Sequence, residues 1–192
     1  MAIMLFEYKT DRLILKILSP EAAPMVLDFY LRDQELFERY EPKRSENFYT
    51  IMYQHKLLRC EYNLAFKKTS IRYYIFLKED PNTIIGTVSI QDIKNTLYSS
   101  CQIGYKFSSQ YQHMGYASEA VERIIDMVFH DLNLHRINAW VLPDNMPSIH
   151  LLQRMGFEWE GLCRGFLLLN GNWMDHLQYS LLNPYMSNKQ NQ

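Results

Sequence analysis

Twenty-two residues near the middle of the chain, Ser108–Phe129, have the sequence "SSQYQHMGYASEAVERIIDMVF". From Ala117 onward, apolar residues recur at steps of three and four while charged residues fall mostly on the opposite side. This period predicts an amphipathic helix that lies on a sheet. A polar turn containing Gly115 stands directly before that helix. The stretch therefore predicts a strand-to-helix junction, and the rest of the chain is interpreted around it.

The junction at Gly115 has two interpretations. The first N–H groups of a helix have no partner inside it, and the helix dipole adds partial positive charge there. A glycine lets another molecule approach the backbone closely, so the turn is suited to a phosphate-like anion. Alternatively, Gly115 only permits a tight turn. Neither GxxxxGK[ST] nor GxGxxG, the patterns of commoner phosphate loops, is present.

Length, composition and charge narrow the classes of protein. The 192 residues suit one domain, and 47% hydrophobic with 21% charged residues predicts a packed core. Twenty Lys+Arg against 21 Asp+Glu give a net charge of -1, which argues against nucleic-acid binding. Three separated cysteines without a CxxC pair predict reduced thiols, no metal site and a cytoplasmic protein. We identify neither a signal peptide nor an apolar run of the roughly 20 residues that span a membrane.

The order of elements predicts an α/β (α+β) domain. Period-two patterns predict a first strand at Asp11–Leu18, three strands in the middle and a last hairpin that turns at Asn170-Gly171. Helices are expected from Ser19 to about Asp33, from Glu46 to about Tyr62, after Gly115, and before Gly156. About seven strands and four helices should form one mixed, mostly antiparallel sheet. The long helical crossover between Phe107 and Arg136 predicts a right-handed parallel pair.

Two motifs together resemble a known family. Gln112, Gly115 and Ala117 match the [Q/R]-x-x-G-x-[G/A] motif of the GNAT acetyltransferase superfamily. Downstream, Asn145 and Ser148, followed by Gly156-Phe157, are similar to a segment of its Rim-type subgroup, whose named members acetylate the N-terminal alanine of ribosomal proteins. The resemblance spans residues 8–184 as a single domain and leaves 185–192 as a polar tail.

The resemblance implies how acetyl-CoA would bind. Its pyrophosphate would rest on the loop before the helix, and its pantetheine arm would pair with the exposed edge of a strand that splays from its neighbour. The residues implied for the loop are Gln112, His113, Met114, Gly115, Tyr116, Ala117 and Ser118. Those implied for the pantetheine arm are Tyr105, Lys106, Phe107, Asn145 and Ser148. Many relatives carry a basic residue where this chain has His113 and Met114, so less help from side chains is expected.

The resemblance also implies direct attack of a primary amine on the thioester, with Ser148 as general acid toward the departing thiolate. Some Rim-type members place a glutamate in the strand after the glycine-phenylalanine pair, but the equivalent here is Leu167 or a neighbour. The general base is therefore unassigned, and the candidates are Glu41, Asp175 and His176, with ordered water as a further possibility. The alternative for each of these three side chains is a solvated surface group without a role in catalysis.

The acceptor also stays open at this level. A protein N-terminal α-amine is the first hypothesis, and a small amine such as an amino acid, a polyamine or an antibiotic is the second. A non-catalytic acyl-CoA-binding sensor is a third, and a nucleotide-binding protein a fourth. Neither a metal, a nucleic acid nor a membrane is expected as a partner. Monomer and homodimer are equally consistent with the sequence.

Overall fold

One eight-stranded sheet with five α-helices forms the fold of the computed structural model, which describes residues 4–186. The strands are β1 (Glu7–Lys9), β2 (Leu13–Lys16), β3 (Ile71–Leu77), β4 (Ile84–Lys94), β5 (Ser100–Phe107), β6 (Arg136–Val141), β7 (Glu158–Leu169) and β8 (Asn172–Leu182). The helices are α1 (Ala23–Arg32), α2 (Gln34–Tyr40), α3 (Ile51–Phe66), α4 (Tyr116–His130) and α5 (Met146–Arg154). The strand order is β1-β2-β3-β4-β5-β6-β8-β7. Most of the tail expected at 185–192 lies outside the described residues.

The mixed, mostly antiparallel sheet is confirmed. Among the strands of residues 4–186, only β5 and β6 pair in parallel, and α4 forms the predicted crossover between them. Their pairing covers Ser100–Gln102 against Arg136–Asn138 and then stops. The remaining part of β5, from residue 103 to 107, stays paired to β4 alone. The strands therefore separate toward their C-terminal ends, which confirms the expected splay.

The element count needs two corrections, since β1 and α2 were not predicted. β1 has three residues and exists through its pairing with β2, in which Tyr8 faces Leu15. α2 has seven residues and buries only Phe37. The single helix predicted at Glu46–Tyr62 is two elements in the structure. A 3-10 turn at Glu46–Tyr49 comes first, and Thr50, which is extended, separates it from α3. The side chain of Thr50 caps α3.

Two apolar layers cover the faces of the sheet. The larger layer contains the buried side of α4, on which Val121, Ile124 and Val128 are fully buried, as the period of three and four predicted. The smaller layer packs α1 and α3 against the other face, around Phe29 and Leu58. Within residues 4–186, no helix is both long and apolar enough to cross a bilayer.

Candidate functional site

A cavity of about 790 Å³ opens where β5 and β6 separate. Its wall takes residues from α2, from β3 to β6, from the start of α4, from α5 and from β8. The candidate residues on this wall are Glu41, Tyr105, Lys106, Phe107, Gln112, His113, Gly115, Ala117, Ser118, Asn145, Ser148 and His176. Met114, Tyr116 and Asp175 do not lie on it. The structure thus brings most of the sequence-derived candidates to one place.

The turn before α4 leaves backbone donors without partners. Gly115 has a φ of 80° and precedes the first helical residue, and His113 also has a positive φ of 61°. The first hydrogen bond of the helix runs from the N–H of Glu119 to the carbonyl of Gly115, at 3.1 Å. Among the described residues, nothing accepts a hydrogen bond from the N–H groups of residues 116–118. These donors stand at the positive end of the α4 dipole, a position that favours an anion.

An arginine from the other end of the chain braces this turn. Arg12 Nη1 donates to the carbonyl of Met114 at 3.0 Å, and Arg12 Nε donates to the Glu119 carboxylate at 2.7 Å. The same carboxylate accepts from Thr10 Oγ1 at 2.5 Å. Hydrogen bonds from Thr10 and Arg12, together with the arginine charge, outweigh the effect of burial and lower the pKa of Glu119. Neither Arg12 nor Met114 lies on the cavity wall.

A second brace fixes the chain where β5 ends. The Asp33 carboxylate, directly after α1, accepts hydrogen bonds from the hydroxyl of Ser108 and from the N–H of Ser109, the latter at 3.1 Å. Burial favours the protonated form of Asp33, but these hydrogen bonds hold its pKa below the ordinary value. Charge-assisted bonds of this kind are strong ones, so the turn is held rigidly from both sides.

A cation also stands near the start of α4. Arg154, in the last turn of α5, donates from Nη1 to Ser118 Oγ at 3.1 Å, and both residues lie on the cavity wall. The sequence has no basic residue between Gln112 and Gly115 other than His113. Arg154 therefore supplies from α5 the positive charge that the loop itself lacks.

Tyr105 and Ser148 form a hydrogen-bonded pair across the splay. Tyr105 Oη lies 2.9 Å from Ser148 Oγ and 3.2 Å from the Ser148 carbonyl oxygen. Asn145 caps α5 by accepting from the Ser148 N–H at 3.2 Å, so its side chain has the ordinary capping role as well as a place on the wall. Burial raises the pKa of Tyr105 to about 12, although its bond to Ser148 acts in the opposite direction. Both hydroxyls stay protonated at neutral pH.

On the opposite face of the sheet, Lys106 forms an ion pair with Glu41. The ammonium group of Lys106 also lies over the rings of Tyr30 and Phe37, with 5.0 Å and 5.3 Å to the ring centroids. Arg44 holds the other oxygen of Glu41 at 3.1 Å. Burial alone would raise the pKa of Glu41, but the two cations hold it below its ordinary value. Glu41 is thus a carboxylate whose oxygens are both engaged.

The last hairpin completes this face. His176 is buried at 5% exposure, and its ring lies against Phe166, which in turn stacks on Trp140. Asp175 is exposed and accepts from the N–H of Gly165 at 2.7 Å, so it ties the two strands of the hairpin together. Leu167, at the position where some relatives have glutamate, pairs with Met174 in the hairpin ladder.

Sequence reasoning missed Arg12, Asp33 and Arg154 as parts of this site. Arg12 and Glu119 are 107 residues apart, and Asp33 and Ser108 are 75 residues apart. No local pattern connects such residues. The one available signal was the placement of Arg154 in the last turn of a short helix beside the second motif, where a basic residue also suits the helix dipole.

The sequence of this chain is similar to those of known acetyltransferases. Residues 12–158 match a protein family described as the acetyltransferase (GNAT) domain. The chain is 30% identical over 176 residues to the uS5-alanine N-acetyltransferase of Escherichia coli, which covers 91% of this chain and 90% of that protein.

Solved structures of named acetyltransferases have a similar fold. The ribosomal-protein-S5-alanine acetyltransferase of Vibrio fischeri has a TM-score of 0.87 at 29% identity, covering 93% of this chain and 97% of that one. Mycobacterium smegmatis RimJ in complex with CoA-disulfide has a TM-score of 0.84 at 25% identity, covering 91% of this chain and 83% of that one.

Proposed function

This chain belongs to the GNAT acetyltransferase family, and we propose that its acceptor is the α-amine of a protein N-terminus. It is an acetyl-CoA-dependent N-acetyltransferase. The relative from E. coli acts on a ribosomal protein's alanine, and alignment over nine-tenths of both chains supports the same type of acceptor here. The cavity provides an independent argument from charge.

The charge of the acceptor end carries the proposal. Among the described residues on the cavity wall, Glu41 is the one carboxylate, against the cations Arg44, Arg72, Lys106 and Arg154. Glu41 is already bound to Lys106 and Arg44. Arg72 is paired with Glu61 at 3.0 Å, and Arg154 lies at the turn before α4. The acceptor end therefore keeps a small excess of positive charge from Arg44 and Lys106. A polyamine or an aminoglycoside brings several ammonium groups, for which this wall offers no free carboxylate among the described residues. A peptide N-terminus brings a single amine, and the uncharged backbone that follows it is not repelled by the positive charges of the wall.

For the donor, we propose that the pyrophosphate of acetyl-CoA binds at the turn from Gln112 to Ser118. The backbone N–H groups of residues 116–118 have no partner among the described residues, and Arg154 adds a cation beside Ser118. Met114 and Tyr116 contribute through their main chain, since their side chains do not lie on the cavity wall. Hydrogen bonds from N–H groups to an anion are charge-assisted and therefore stronger than neutral ones.

We assign the pantetheine arm to the edge of β5 from Tyr105 to Phe107, where pairing with β6 has ended. An extended polar chain placed there can continue the sheet's hydrogen bonding. Asn145 stands across the gap on α5, which suits a contact with the same arm. The thioester would then lie near the Tyr105–Ser148 pair.

At the thioester, a neutral amine attacks the acetyl carbonyl, the new C–N bond forms and the C–S bond breaks. Ser148 gives its proton to the departing sulfur, while the Tyr105 hydroxyl, which lies within reach of both the Ser148 carbonyl and Ser148 Oγ, turns its proton toward Oγ. The orientation follows because a hydroxyl that donates to sulfur must accept from its other neighbour. The nitrogen loses one proton and the sulfur gains one, so the transfer is neutral in protons.

Direct attack is favoured because no described cysteine lies on the cavity wall. Cys60 is exposed, Cys101 is buried and Cys163 lies in β7. Burial raises the pKa of Cys101 to about 12, so it stays a thiol rather than a nucleophilic thiolate.

The test measures CoA release from acetyl-CoA with four acceptors at equal concentration: a peptide with free N-terminal alanine, the same peptide with a blocked N-terminus, spermidine, and free alanine. Mass spectrometry locates the acetyl group. We expect turnover only with the free peptide, acetylated on its α-nitrogen. Faster turnover of spermidine or alanine would overturn the N-terminal assignment. Tight binding of acetyl-CoA without turnover of any acceptor would instead support a sensor.

A further inference from the structure

We propose that His176 is the general base that takes the proton from the attacking amine. This inference rests on the proposed function, because it supplies the base that direct aminolysis needs. Three features point to this role: the tautomer of the imidazole, the exposure of its second nitrogen, and its position relative to Ser148.

The hydrogen bond of His176 fixes its tautomer. His176 Nδ1 lies 3.2 Å from the carbonyl oxygen of Met174. A carbonyl oxygen only accepts hydrogen bonds, so Nδ1 must carry the proton. In the neutral ring Nε2 is then bare and basic. A second group that holds the other nitrogen is the arrangement by which proteins usually orient a catalytic histidine.

The bare nitrogen is open to the cavity. His176 is only 5% exposed and lies on the cavity wall. Among the described residues, Nε2 has no hydrogen-bond partner. The side-chain atoms that lack a partner and are also closed off from solvent belong to Arg32, Gln54 and Arg72, so Nε2 is not closed off. Nε2 therefore keeps a small accessible area, on a residue that belongs to the cavity wall.

Aromatic packing holds the ring in place. Phe166 in β7 lies 5.3 Å from the His176 ring, centroid to centroid, and stacks on Trp140 at the same distance with planes 12° apart. Trp140 lies on the cavity wall beside His176. Packing against Phe166 on one side and the hydrogen bond at Nδ1 therefore confine the ring to few orientations.

His176 and Ser148 act from opposite faces of the sheet. His176 is two residues from Gln178, the register partner of Trp140, so His176 and Trp140 share a face. Tyr105 packs with the apolar layer on the other face and bonds Ser148 there. The cavity passes between β5 and β6 and reaches both. An amine that attacks from the His176 side expels the thiolate toward the Ser148 side, and each proton transfer has its own group.

The other candidate bases are less suited. Both oxygens of Glu41 are engaged by Lys106 and Arg44, and its lowered pKa makes it a poor proton acceptor. Asp175 points away from the cavity wall and holds the N–H of Gly165. Of the residue types among these candidates, histidine also has the ordinary pKa, about 6.5, that lies closest to that of an N-terminal amine, about 8.

The proton balance closes. The amine nitrogen forms its bond to the acetyl carbon and gives a proton to Nε2 of His176. The sulfur leaves with the electrons of the C–S bond and takes the proton of Ser148. Solvent returns a proton to Ser148 and removes one from His176, which restores both groups.

The test uses His176→Asn, whose amide can still donate to the Met174 carbonyl but cannot act as a base. We expect kcat/KM for the free peptide to fall at least about 100-fold, the lower end of a general base's usual contribution. Acetyl-CoA affinity by calorimetry and the thermal unfolding midpoint should change little. His135→Gln is the matched control, because the His135 ring makes no hydrogen bond within the described part of the chain and lies at the opposite end of β6.

A second variant separates a base from a structural group. Adding imidazole to His176→Ala should restore activity, while 1,2,4-triazole, of similar shape but far weaker basicity, should not. Equal rescue by both, or retention of activity in His176→Asn, would overturn the proposal. Independently, ¹⁵N shifts of labelled wild-type protein should place the proton on Nδ1, and a proton on Nε2 at neutral charge would also overturn it. If wild-type protein turns over no peptide, the proposed acceptor fails instead.

Discussion

Replacing Gly115 with alanine should separate anion binding from turn formation. Gly115 has a φ of 80°, and a Cβ there would lie 3.2 Å from Arg12 Nη2. The left-handed conformation costs an L-residue about 1–2 kcal/mol, so the turn before α4 should relax toward another conformation. The brace from Arg12 would move with it, since its guanidinium holds the neighbouring Met114 carbonyl.

The expected loss of affinity follows from the donors that the turn presents. A hydrogen bond to a charged group contributes about 1.5–3 kcal/mol, so misplacing one phosphate-binding N–H should weaken acetyl-CoA binding roughly 10- to 150-fold. Stability should fall by about 1–2 kcal/mol, which leaves the protein folded. Calorimetry gives the affinity, and urea unfolding gives the stability.

Gly156 provides a matched control. It follows α5 with a φ of 82°, and a Cβ there would meet Leu181 Cδ1 at an unstrained 3.7 Å. It does not lie on the cavity wall. Gly156→Ala should therefore lose similar stability but keep its acetyl-CoA affinity. If the two variants bind acetyl-CoA equally well per folded molecule, Gly115 serves only the turn, and the assignment of the phosphate site is wrong.

Three further substitutions test other parts of the site. Tyr105→Phe should lower kcat about 10-fold with little change in acetyl-CoA affinity, because Ser148 loses one hydrogen bond. If Tyr105 acts through Ser148, the double variant Tyr105→Phe with Ser148→Ala should be no slower in steady-state kinetics than Ser148→Ala alone. Glu41→Gln should lower the free energy of unfolding by about 2 kcal/mol at pH 7, because Lys106 loses its carboxylate partner. Folding lowers the pKa of Glu41, so its contribution to the free energy of unfolding is present above the ordinary pKa and is lost as pH falls below about 4. In urea unfolding, the stabilities of wild type and Glu41→Gln should converge at that low pH. A difference that stays constant with pH would contradict the role of the ion pair. Gly86→Ala should cost about 2–3 kcal/mol in the same assay, because a Cβ would lie 2.4 Å from an aromatic carbon of the facing strand, and near-wild-type stability would refute that packing.

Local patterns predicted the elements that local physics decides. The buried side of α4 follows from its three- and four-residue period, and the turn at Asn170-Gly171, with φ values of 50° and 85°, follows from the backbone preferences of those two residue types. β1 escaped detection because three residues carry too little pattern, and it depends on pairing with β2. α2 escaped detection because its seven residues bury one side chain.

The site was predictable only where one motif contains it. The loop at Gln112–Ser118 and the Asn145–Ser148 pair are local, so the sequence could single them out as candidates. The orientation of His176 depends on the register between β6 and β8, and the bond from Tyr105 to Ser148 joins residues 43 positions apart. Neither follows from spacing along one chain.

The separation of β5 from β6 explains why one cavity can serve two substrates that arrive from different sides. If β5 and β6 stayed paired beyond Gln102 and Asn138, the continuous ladder would divide the Tyr105 side from the His176 side. Because the pairing stops there, the proposed donor site at the edge of β5 and the face that carries Trp140 open into the same cavity. In the proposed mechanism the amine and the departing thiol then occupy different sides of the acetyl carbon. A covalent acyl-enzyme would need a nucleophile between the two faces, and among the described wall residues Ser148 is already engaged by Tyr105.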